Sequence, residues 1–367
     1  MNQKPKQLFK KLVRYLTPAL LTMTTTLTFA NNINQNQSEI RVLNLRSVVY
    51  RQGGVPVASN NDYQQLFQQL QSLNQSGDQK HPYDFIGAEA YGMNQDCNRS
   101  DSKDVTSPLI KSNLSNLYSQ NQYIVMGRCR SNGGSPAEAT PIIYNKSQWT
   151  LVNDPTVEQQ IQNNCNQIKI NNQAVAPSVD RQSLNQDNAE NGDPSISPIH
   201  TCQLSTAAVH YDGDYFGGSG NFGRIATWGV FERNNNTNKK VIVIVSHFPL
   251  PVGGPGGKQM GNNIEKQIIT PLRNAYPDAP VIFIGDFNGQ HPDIFDGAQQ
   301  ADTRTICEQG AGCDGNSKIN YLSNKNGQQL SIMGTPSIIT TNQISGVDIP
   351  AITDHGHPFE DVTFLMP

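Results

Sequence analysis

Apolar residues recur along the chain with two different periods, and these periods predict the secondary structure. Runs rich in β-branched and aromatic residues predict strands at 40–50, 123–126, 140–152, 204–211, 224–232, 239–248, 279–289 and 361–366, with one more ending at Glu89. Apolar residues three and four positions apart predict helices around 63–73, 109–117 and 264–272. Pro271 is expected to kink or shorten the last helix, because proline removes a helical hydrogen bond.

The strands VIVIV (241–245) and VIFI (281–284) consist entirely of apolar residues. Strands that are apolar on both faces lie between packed layers. Because only a few helices separate the strands, the pattern favours a β-sandwich flanked by helices. Two segments lack the pattern. A Gly/Pro-rich loop is predicted at 249–261, and a polar, Asn/Gln-rich insertion on the surface is predicted at about 153–197.

Residues 1–30 have the pattern of a secretion signal peptide. Five basic residues precede an apolar stretch from Leu16 to Phe29, and small residues end at Ala30. An amphipathic N-terminal anchor is the alternative, because threonines dilute the apolar stretch. We expect a secreted or periplasmic protein in which residues 31–367 form a single domain. No internal stretch reaches the roughly 18 apolar residues of a membrane span, so stable membrane insertion is not expected.

The charge balance limits the class of partner. The chain has 367 residues and a formal net charge of −3. The first 30 residues hold five of the 27 basic residues and none of the 30 acidic ones, so their removal leaves a charge of −8. This balance argues against tight, purely electrostatic binding to a polyanion. It allows a phosphate substrate where a metal ion supplies local positive charge.

Six cysteines agree with an exported, oxidised protein, and none forms the short C-x-x-C pair of a zinc site. Six cysteines permit 15 connectivities in principle. Proximity in sequence suggests the pairs 97–129, 165–202 and 307–313, the second of which would close the polar insertion. Free buried thiols in a cytosolic protein are the alternative.

Three groups of polar side chains with catalytic potential lie next to predicted strands. The first two directly follow buried strands, and the third lies shortly before the last strand. They are Ser246-His247, Gly285-Asp286-Phe287-Asn288 and Thr353-Asp354-His355, to which Asn44 and Glu89 are added. Each has an ordinary structural explanation by itself: a hydrogen-bonded loop histidine, an Asx turn, a surface turn or an ion pair. Their joint occurrence is what indicates a site.

The sequence resembles the endonuclease/exonuclease/phosphatase superfamily, which has the fold of pancreatic-type deoxyribonuclease. The resemblance extends from about Ile40 to Phe364 outside the insertion. It depends on the segments VLNL, IGAEAYG, FGRIATWGVF, VIVSHFPLP, VIFIGDFNG and ITDHGHPFEDVTF. The tail and the loop after His247 are also similar to the catalytic subunit of cytolethal distending toxins. The resemblance implies a four-layer α/β sandwich in which two packed, mainly antiparallel β-sheets are flanked by helices.

The resemblance also implies a divalent metal site. Glu89, Asn44 and Asp354 would hold Mg²⁺, with Mn²⁺ or Ca²⁺ as alternatives, through the oxygen ligands that hard cations prefer. The ion would polarise a phosphoryl oxygen and stabilise charge on the leaving group.

The remaining site residues would act on the phosphate itself. Asp286 would orient or deprotonate the attacking water, and Asn288 would hydrogen-bond the phosphoryl oxygens. His247 and His355 would form an acid–base pair around the scissile bond. Arg224 would contact phosphate, with an exposed strand-edge arginine as the alternative explanation.

Asn320 departs from the family pattern. The family places an aspartate in this strand segment, where it orients the final histidine, but the segment here is KINYL. An asparagine cannot stabilise an imidazolium as a carboxylate does. Either His355 is a weaker base here, or another acid such as Asp348 or Asp361 replaces the aspartate, or the alignment is shifted.

Three functions follow from these observations. The first is a metal-dependent phosphodiesterase, an endonuclease that hydrolyses DNA phosphodiester bonds. The second is a phospholipase-C-like hydrolase that acts on sphingomyelin or phosphoinositide headgroups. Such an enzyme is expected to carry an exposed apolar hairpin, and Trp149 and Trp228 both lie in strand-like contexts instead. The third is a non-catalytic binding protein or toxin subunit, which Asn320 and the insertion leave open.

Overall fold

Two β-sheets pack face to face, and helices cover the outer face of each sheet. The structure is a computed structural model that describes residues 39–46, 60–73, 82–89, 106–118, 123–127, 140–170, 173–174, 200–204, 224–248, 255–287, 295, 297–301, 306–308, 312–314, 317–339 and 359–367. Residues Ile40–Pro367 belong to one compact unit. The predicted α/β sandwich of two packed sheets with flanking helices is confirmed.

Eighteen strands are formed within the described residues. The first nine are β1 (Glu39–Arg46), β2 (Phe85–Glu89), β3 (Tyr123–Met126), β4 (Ile142–Asn145), β5 (Trp149–Leu151), β6 (Lys169–Ile170), β7 (Gln173–Ala174), β8 (Thr201–Gln203) and β9 (Ile225–Arg233). The others are β10 (Asn236–His247), β11 (Val281–Asp286), β12 (Gln299–Gln300), β13 (Ile306–Glu308), β14 (Gly312–Asp314), β15 (Ser317–Leu322), β16 (Ser331–Ile332), β17 (Ser337–Ile339) and β18 (Phe359–Leu365).

The helices are α1 (Asn60–Leu73), α2 (Thr106–Leu117), α3 (Pro155–Asn166), α4 (Pro255–Ile264) and α5 (Thr270–Ala275), and a π-helical segment, Glu265–Ile269, joins the last two. None of the described helices is long and apolar enough to cross a membrane.

Each large sheet combines parallel and antiparallel pairs. The first sheet has the order β16-β18-β1-β2-β4-β3, and β17 also pairs with β18. The second sheet has the order β12-β15-β11-β10-β9-β5, and β8 also pairs with β9. The β1–β2 pair and the β10–β11 pair are parallel. These two parallel pairs occupy the middle of their sheets, which is where the candidate site is built.

Strand alternation sorts the core into an inner layer and two outer layers. In β10, Val241, Val243 and Val245 belong to the inner cluster between the sheets, whereas Ile242 and Ile244 belong to the cluster beneath the helices. This accounts for the continuous apolar run of β10, because a strand covered on both faces needs apolar residues at successive positions.

Three sequence predictions need correction. Part of the predicted Gly/Pro loop is helical, since α4 starts at Pro255, and proline is well suited to a first helical turn. The predicted polar insertion starts with α3, whose residues Val157 and Ile161 are buried. The helix around Pro271 contains a π-helical segment immediately before α5 rather than ending there. A π-helical turn re-routes the backbone hydrogen bonds that proline would break.

One predicted disulfide is formed by described residues. Cys165 at the end of α3 is bonded to Cys202 in β8. Cys307 and Cys313 are register partners across the β13–β14 hairpin. Cys97, Cys129, the predicted signal peptide at 1–30 and most of the strand predicted at 204–211 lie outside the described residues.

Candidate active site

His247 and Asp286 end two neighbouring parallel strands. They are register partners at the ends of β10 and β11. Nε2 of His247 lies 3.3 Å from Oδ2 of Asp286, and the two side chains are 15% and 2% exposed. A carboxylate in this position fixes the orientation of the imidazole and stabilises its protonated form. The pair is therefore equipped to transfer a proton to or from a group at the surface.

The two sheets are aligned so that the ends of β2 and β10 coincide. On the inner faces, Phe85 at the start of β2 contacts Phe231, with ring centroids 4.9 Å apart, and Phe231 pairs with Val241 in the middle of β10. Later in β2, Gly87 lies against Ile284, which pairs with a residue near the end of β10. Both strands therefore run in the same direction. We call the edge at which β1, β2, β10 and β11 end the site edge.

Two glycines permit the close approach of backbones near this edge. A Cβ atom on Gly87 would lie 2.4 Å from Cγ2 of Ile284, so a side chain there would push the sheets apart. A Cβ atom on Gly285 would lie 2.4 Å from the carbonyl oxygen of Ser246, so the glycine keeps β11 close to β10. Both glycines belong to the motifs from which the site was predicted.

Asn44 contributes from the first sheet. It alternates in β1 with Ile40 and Val42, which belong to the inner cluster, so its side chain is on the inner face. It is 1% exposed, and within the described part of the chain neither its amide oxygen nor its amide nitrogen has a hydrogen-bond partner. A buried amide without partners destabilises a fold by about 1–3 kcal/mol. A ligand atom that coordinates or hydrogen-bonds this amide would remove that cost.

Arg224 lies at the same edge and is buried, so the alternative of an exposed strand-edge arginine is wrong. It is 2% exposed and directly precedes β9, whose Ala226 pairs with Ser246. Its carbonyl oxygen accepts a hydrogen bond from the Leu204 amide at 2.7 Å. The backbone of Arg224 is thus fixed near the end of β10.

The other predicted site residues fall partly or wholly outside the described residues. Glu89 is the last residue of β2 and pairs with Arg46, which places its backbone at the site edge, but its side chain is not among those described. Asn288, Asp354 and His355 lie outside the described residues. The structure thus places Asn44, His247, Asp286 and the backbones of Arg224 and Glu89 at the site edge.

Asn320 lies on the face away from the site. It pairs with Phe283, a member of the cluster beneath the helices, and paired residues share a face of the sheet. It is 1% exposed, and its amide oxygen has no hydrogen-bond partner among the residues that the structure describes. In this register Asn320 does not reach the inner face where His247 and Asp286 lie.

Asp361, one of the proposed replacement acids, is engaged elsewhere. Its Oδ2 atom lies 2.6 Å from Nη2 of Arg41 and accepts a hydrogen bond from the Tyr83 hydroxyl at 2.9 Å. Burial raises the pKa of Tyr83 well above its usual value, so this hydroxyl remains a donor. Asp348 lies outside the described residues.

The described residues contain some of the ligands that a metal site needs. Among them, no three His, Cys, Asp or Glu side chains are grouped closely enough to hold an ion. The described part of the edge does supply oxygen donors of the kind that hard cations prefer, in the unpartnered amide of Asn44 and the buried carboxylate of Asp286. These donors fit the predicted divalent cation.

Glu360 is a buried acid near the site that the sequence motifs do not single out. It alternates in β18 with Val362 and Phe364 of the inner cluster, and it is 3% exposed. The signal in the sequence is an acidic residue at an inward position of a strand whose other inward residues, Val362 and Phe364, are apolar.

Comparisons with known proteins gave matches only among solved structures. No family model matches the chain, and no curated protein does. An endonuclease/exonuclease/phosphatase from Bacteroides vulgatus is 14% identical, with 90% of this chain and 99% of that chain covered and a TM-score of 0.46. TDP2 of D. rerio, complexed with a single strand DNA product, is 11% identical, with coverage of 89% and 99% and a TM-score of 0.45.

A mannosyl-6-phosphatase from Bacteroides thetaiotaomicron is 12% identical, with coverage of 89% and 99% and a TM-score of 0.45. All three matches are at 14% identity or less and at TM-scores below 0.5.

Proposed function

We propose that this chain is a divalent-metal-dependent phosphoric ester hydrolase, and specifically an endonuclease that cleaves DNA phosphodiester bonds. The observation that carries the proposal is the His247–Asp286 pair at the site edge, on the inner face of the second sheet. The inner face of the first sheet contributes Asn44, whose amide has no partner among the described residues. A proton-transfer pair beside an unsatisfied polar group suits hydrolysis at a bound phosphate.

The metal would be held by Asn44, Glu89 and Asp354, with Mg²⁺ as the first choice and Mn²⁺ or Ca²⁺ as alternatives. When bound, it would polarise a phosphoryl oxygen and offset the charge that develops on the leaving group. Asn44 fits this role because its amide oxygen is buried and accepts no hydrogen bond from the described residues.

The chain's own residues would bind the phosphate and move protons. Asp286 would hold the His247 ring and orient the attacking water, and His247 would exchange a proton with the reacting oxygens. His355 would be the second member of the acid–base pair. Arg224 and Asn288 would hydrogen-bond the phosphoryl oxygens, for which the fork of an arginine is well suited.

We further propose that the protein is exported, to the periplasm or beyond the cell. The signal-like pattern of residues 1–30 and the Cys165–Cys202 disulfide support this, because structural disulfides persist in oxidising compartments.

The test is hydrolysis of plasmid DNA by the purified protein with Mg²⁺ and with EDTA. The expected result is nicking that EDTA abolishes and that His247→Ala lowers by roughly 10²- to 10⁴-fold, the usual contribution of a general acid or base. Asp286→Asn and His355→Ala are expected to lower the rate by at least about 10²-fold. Asp278→Asn is the matched control, because this exposed aspartate precedes the opposite end of β11.

Sphingomyelin and phosphoinositides are assayed in parallel. Release of lipid headgroups without nicking of DNA would identify a phospholipid, and not DNA, as the substrate. A folded protein that hydrolyses no phosphoester would support the non-catalytic binding protein. Full activity in both His247→Ala and Asp286→Asn would show that the site is misplaced.

A further inference from the structure

We infer that Glu360 is a positioning residue that fixes the two sheets relative to each other at the site edge. The inference rests on the proposed function for its catalytic consequence. Oε2 of Glu360 in the first sheet accepts a hydrogen bond from the backbone amide of Ile319 in the second sheet, at 2.5 Å. We call this contact the Glu360 link.

The Glu360 link occurs where a strand ladder ends. β12 pairs with β15 as far as Gln300, and the amide of Ala301 still donates to the carbonyl oxygen of Ile319 at 2.9 Å. The Glu360 carboxylate accepts from the amide of the same residue, Ile319. A side chain from one sheet thus completes the backbone hydrogen bonding of the other.

The position of the Glu360 link along the sandwich is near the site. Ile319 pairs with Ile284, which contacts Gly87 across the sheets and lies two residues before Asp286. Farther along β18, Phe364 packs against Tyr321 with ring centroids 5.3 Å apart. Glu360 therefore joins the sheets on the side of the site edge, and Phe364 lies deeper in the sandwich.

A second buried carboxylate joins the sheets at the opposite edge. Asp84, directly before β2, accepts a hydrogen bond from Nε1 of Trp149 at 2.7 Å and one from Nη1 of Arg233 at 3.2 Å. Arg233 pairs with Asn236 at the start of β10, which is the end far from His247. We call this contact the Asp84 link.

Apolar packing fills the space between the two links. The inner cluster consists of aliphatic and aromatic side chains from both sheets, and the hydrophobic effect has no directional preference. Hydrogen bonds do have such a preference, so the two links define how one sheet is placed on the other.

This placement matters for the site because the site is divided between the sheets. Asn44 belongs to the first sheet, whereas His247 and Asp286 belong to the second. A displacement of about 1 Å between catalytic groups can lower a rate by about 10²-fold. The Glu360 link is the closer of the two to these residues, so its loss is expected to affect the chemical step more than substrate binding.

The decisive variants are Glu360→Leu and Glu360→Gln. Leucine removes the hydrogen bond at similar size, and glutamine keeps an oxygen that can accept from Ile319. For Glu360→Leu we expect kcat to fall roughly 10- to 100-fold, with KM within about threefold of the wild type. For Glu360→Gln we expect kcat within about threefold of the wild type.

Asp84→Asn serves as the matched control at the opposite edge, since it removes the charge opposite Arg233. It is expected to lower the free energy of unfolding and to leave kcat within about threefold of the wild-type value. Unchanged kcat in Glu360→Leu, or an equal loss in Glu360→Leu and Glu360→Gln, would overturn the role of the hydrogen bond.

Amide hydrogen exchange gives a readout that does not depend on activity. The Ile319 amide is expected to exchange at least about tenfold faster in Glu360→Leu than in the wild type and in Glu360→Gln. Equal exchange in all three proteins would refute the Glu360 link. If the wild type hydrolyses no phosphoester, the proposed function fails, and the exchange rates still decide whether the link exists.

Discussion

Two asparagines, Asn44 and Asn320, are equally buried but lie on opposite faces of their sheets. Each is 1% exposed, and each has an amide oxygen to which no described residue donates a hydrogen bond. Asn44 faces the inner layer at the site edge, and Asn320 faces the layer beneath the helices. Substitution of both by the same residue therefore separates a contribution to stability from a contribution to the site.

We expect Asn44→Leu to raise the free energy of unfolding by about 1 kcal/mol, because an apolar group of similar shape replaces a buried amide whose two polar atoms lack a partner among the described residues. For Asn320→Leu we expect a smaller change, since only its amide oxygen lacks such a partner. Only Asn44→Leu is expected to lose activity, by about 10²-fold or more, as for the loss of one group that stabilises transition-state charge. Urea denaturation and plasmid nicking measure the two effects. Full activity of Asn44→Leu would exclude Asn44 from the site.

The sequence predicts some of these residues better than others, for a physical reason. Asn44, His247 and Asp286 lie in strands that the apolar pattern identifies, so their approximate positions follow from the sequence. The face occupied by Asn320 depends on the register between β11 and β15. A shift of one residue would move it to the other face, and no local motif encodes that register.

At the level of single elements, α3 shows how a helix with few apolar residues can pack on the core although its sequence pattern predicts a polar surface insertion. Only a few of its positions are apolar, but these include Val157, Ile161 and Cys165, which are buried on one face. Its N terminus is capped by Asp154, which accepts hydrogen bonds from the amides of Thr156 and Val157. A narrow apolar face, a cap and a disulfide together are enough to hold the helix on the sheet.

Removal of this disulfide tests that explanation. Cys165 and Cys202 are separated by 37 residues, and a closed loop of this length corresponds to a stabilisation of about 4 kcal/mol. The double variant Cys165→Ala/Cys202→Ala is expected to lose about this much free energy of unfolding in chemical denaturation. Cys307→Ala/Cys313→Ala is the comparison for the disulfide predicted at 307–313, whose shorter loop corresponds to a loss of about 2 kcal/mol. An equal or smaller loss for the first variant would argue against the tethering role of the disulfide.

For the molecule as a whole, the layers of the sandwich could be predicted from the sequence, but the contacts that join the two sheets could not. The apolar runs of β10 and β11 indicate strands buried on both faces, and hence a sandwich. The order of strands and the contact of Gly87 with Ile284 depend on residues nearly 200 positions apart in the sequence. Glu360 and Asp84 also contact residues far along the chain, at separations of 41 for Ile319 and of 65 and 149 for Trp149 and Arg233. Their roles follow from pairing between the sheets rather than from their neighbours in the sequence.

The negative charge of the whole chain leads to a last prediction, about how DNA is held. Without residues 1–30 the formal charge is −8, so binding should depend on the reacting phosphate and the cation rather than on a basic surface. In EDTA and physiological salt, we expect a dissociation constant for duplex DNA weaker than roughly 10⁻⁴ M, the weak end of non-specific binding. In Mg²⁺, log(kcat/KM) should fall with log[salt] with a slope shallower than about −2, because few counterions are released. Gel shifts and nicking rates across a salt series measure both quantities. Tight binding in EDTA with a steep salt dependence would show instead that basic side chains provide the affinity.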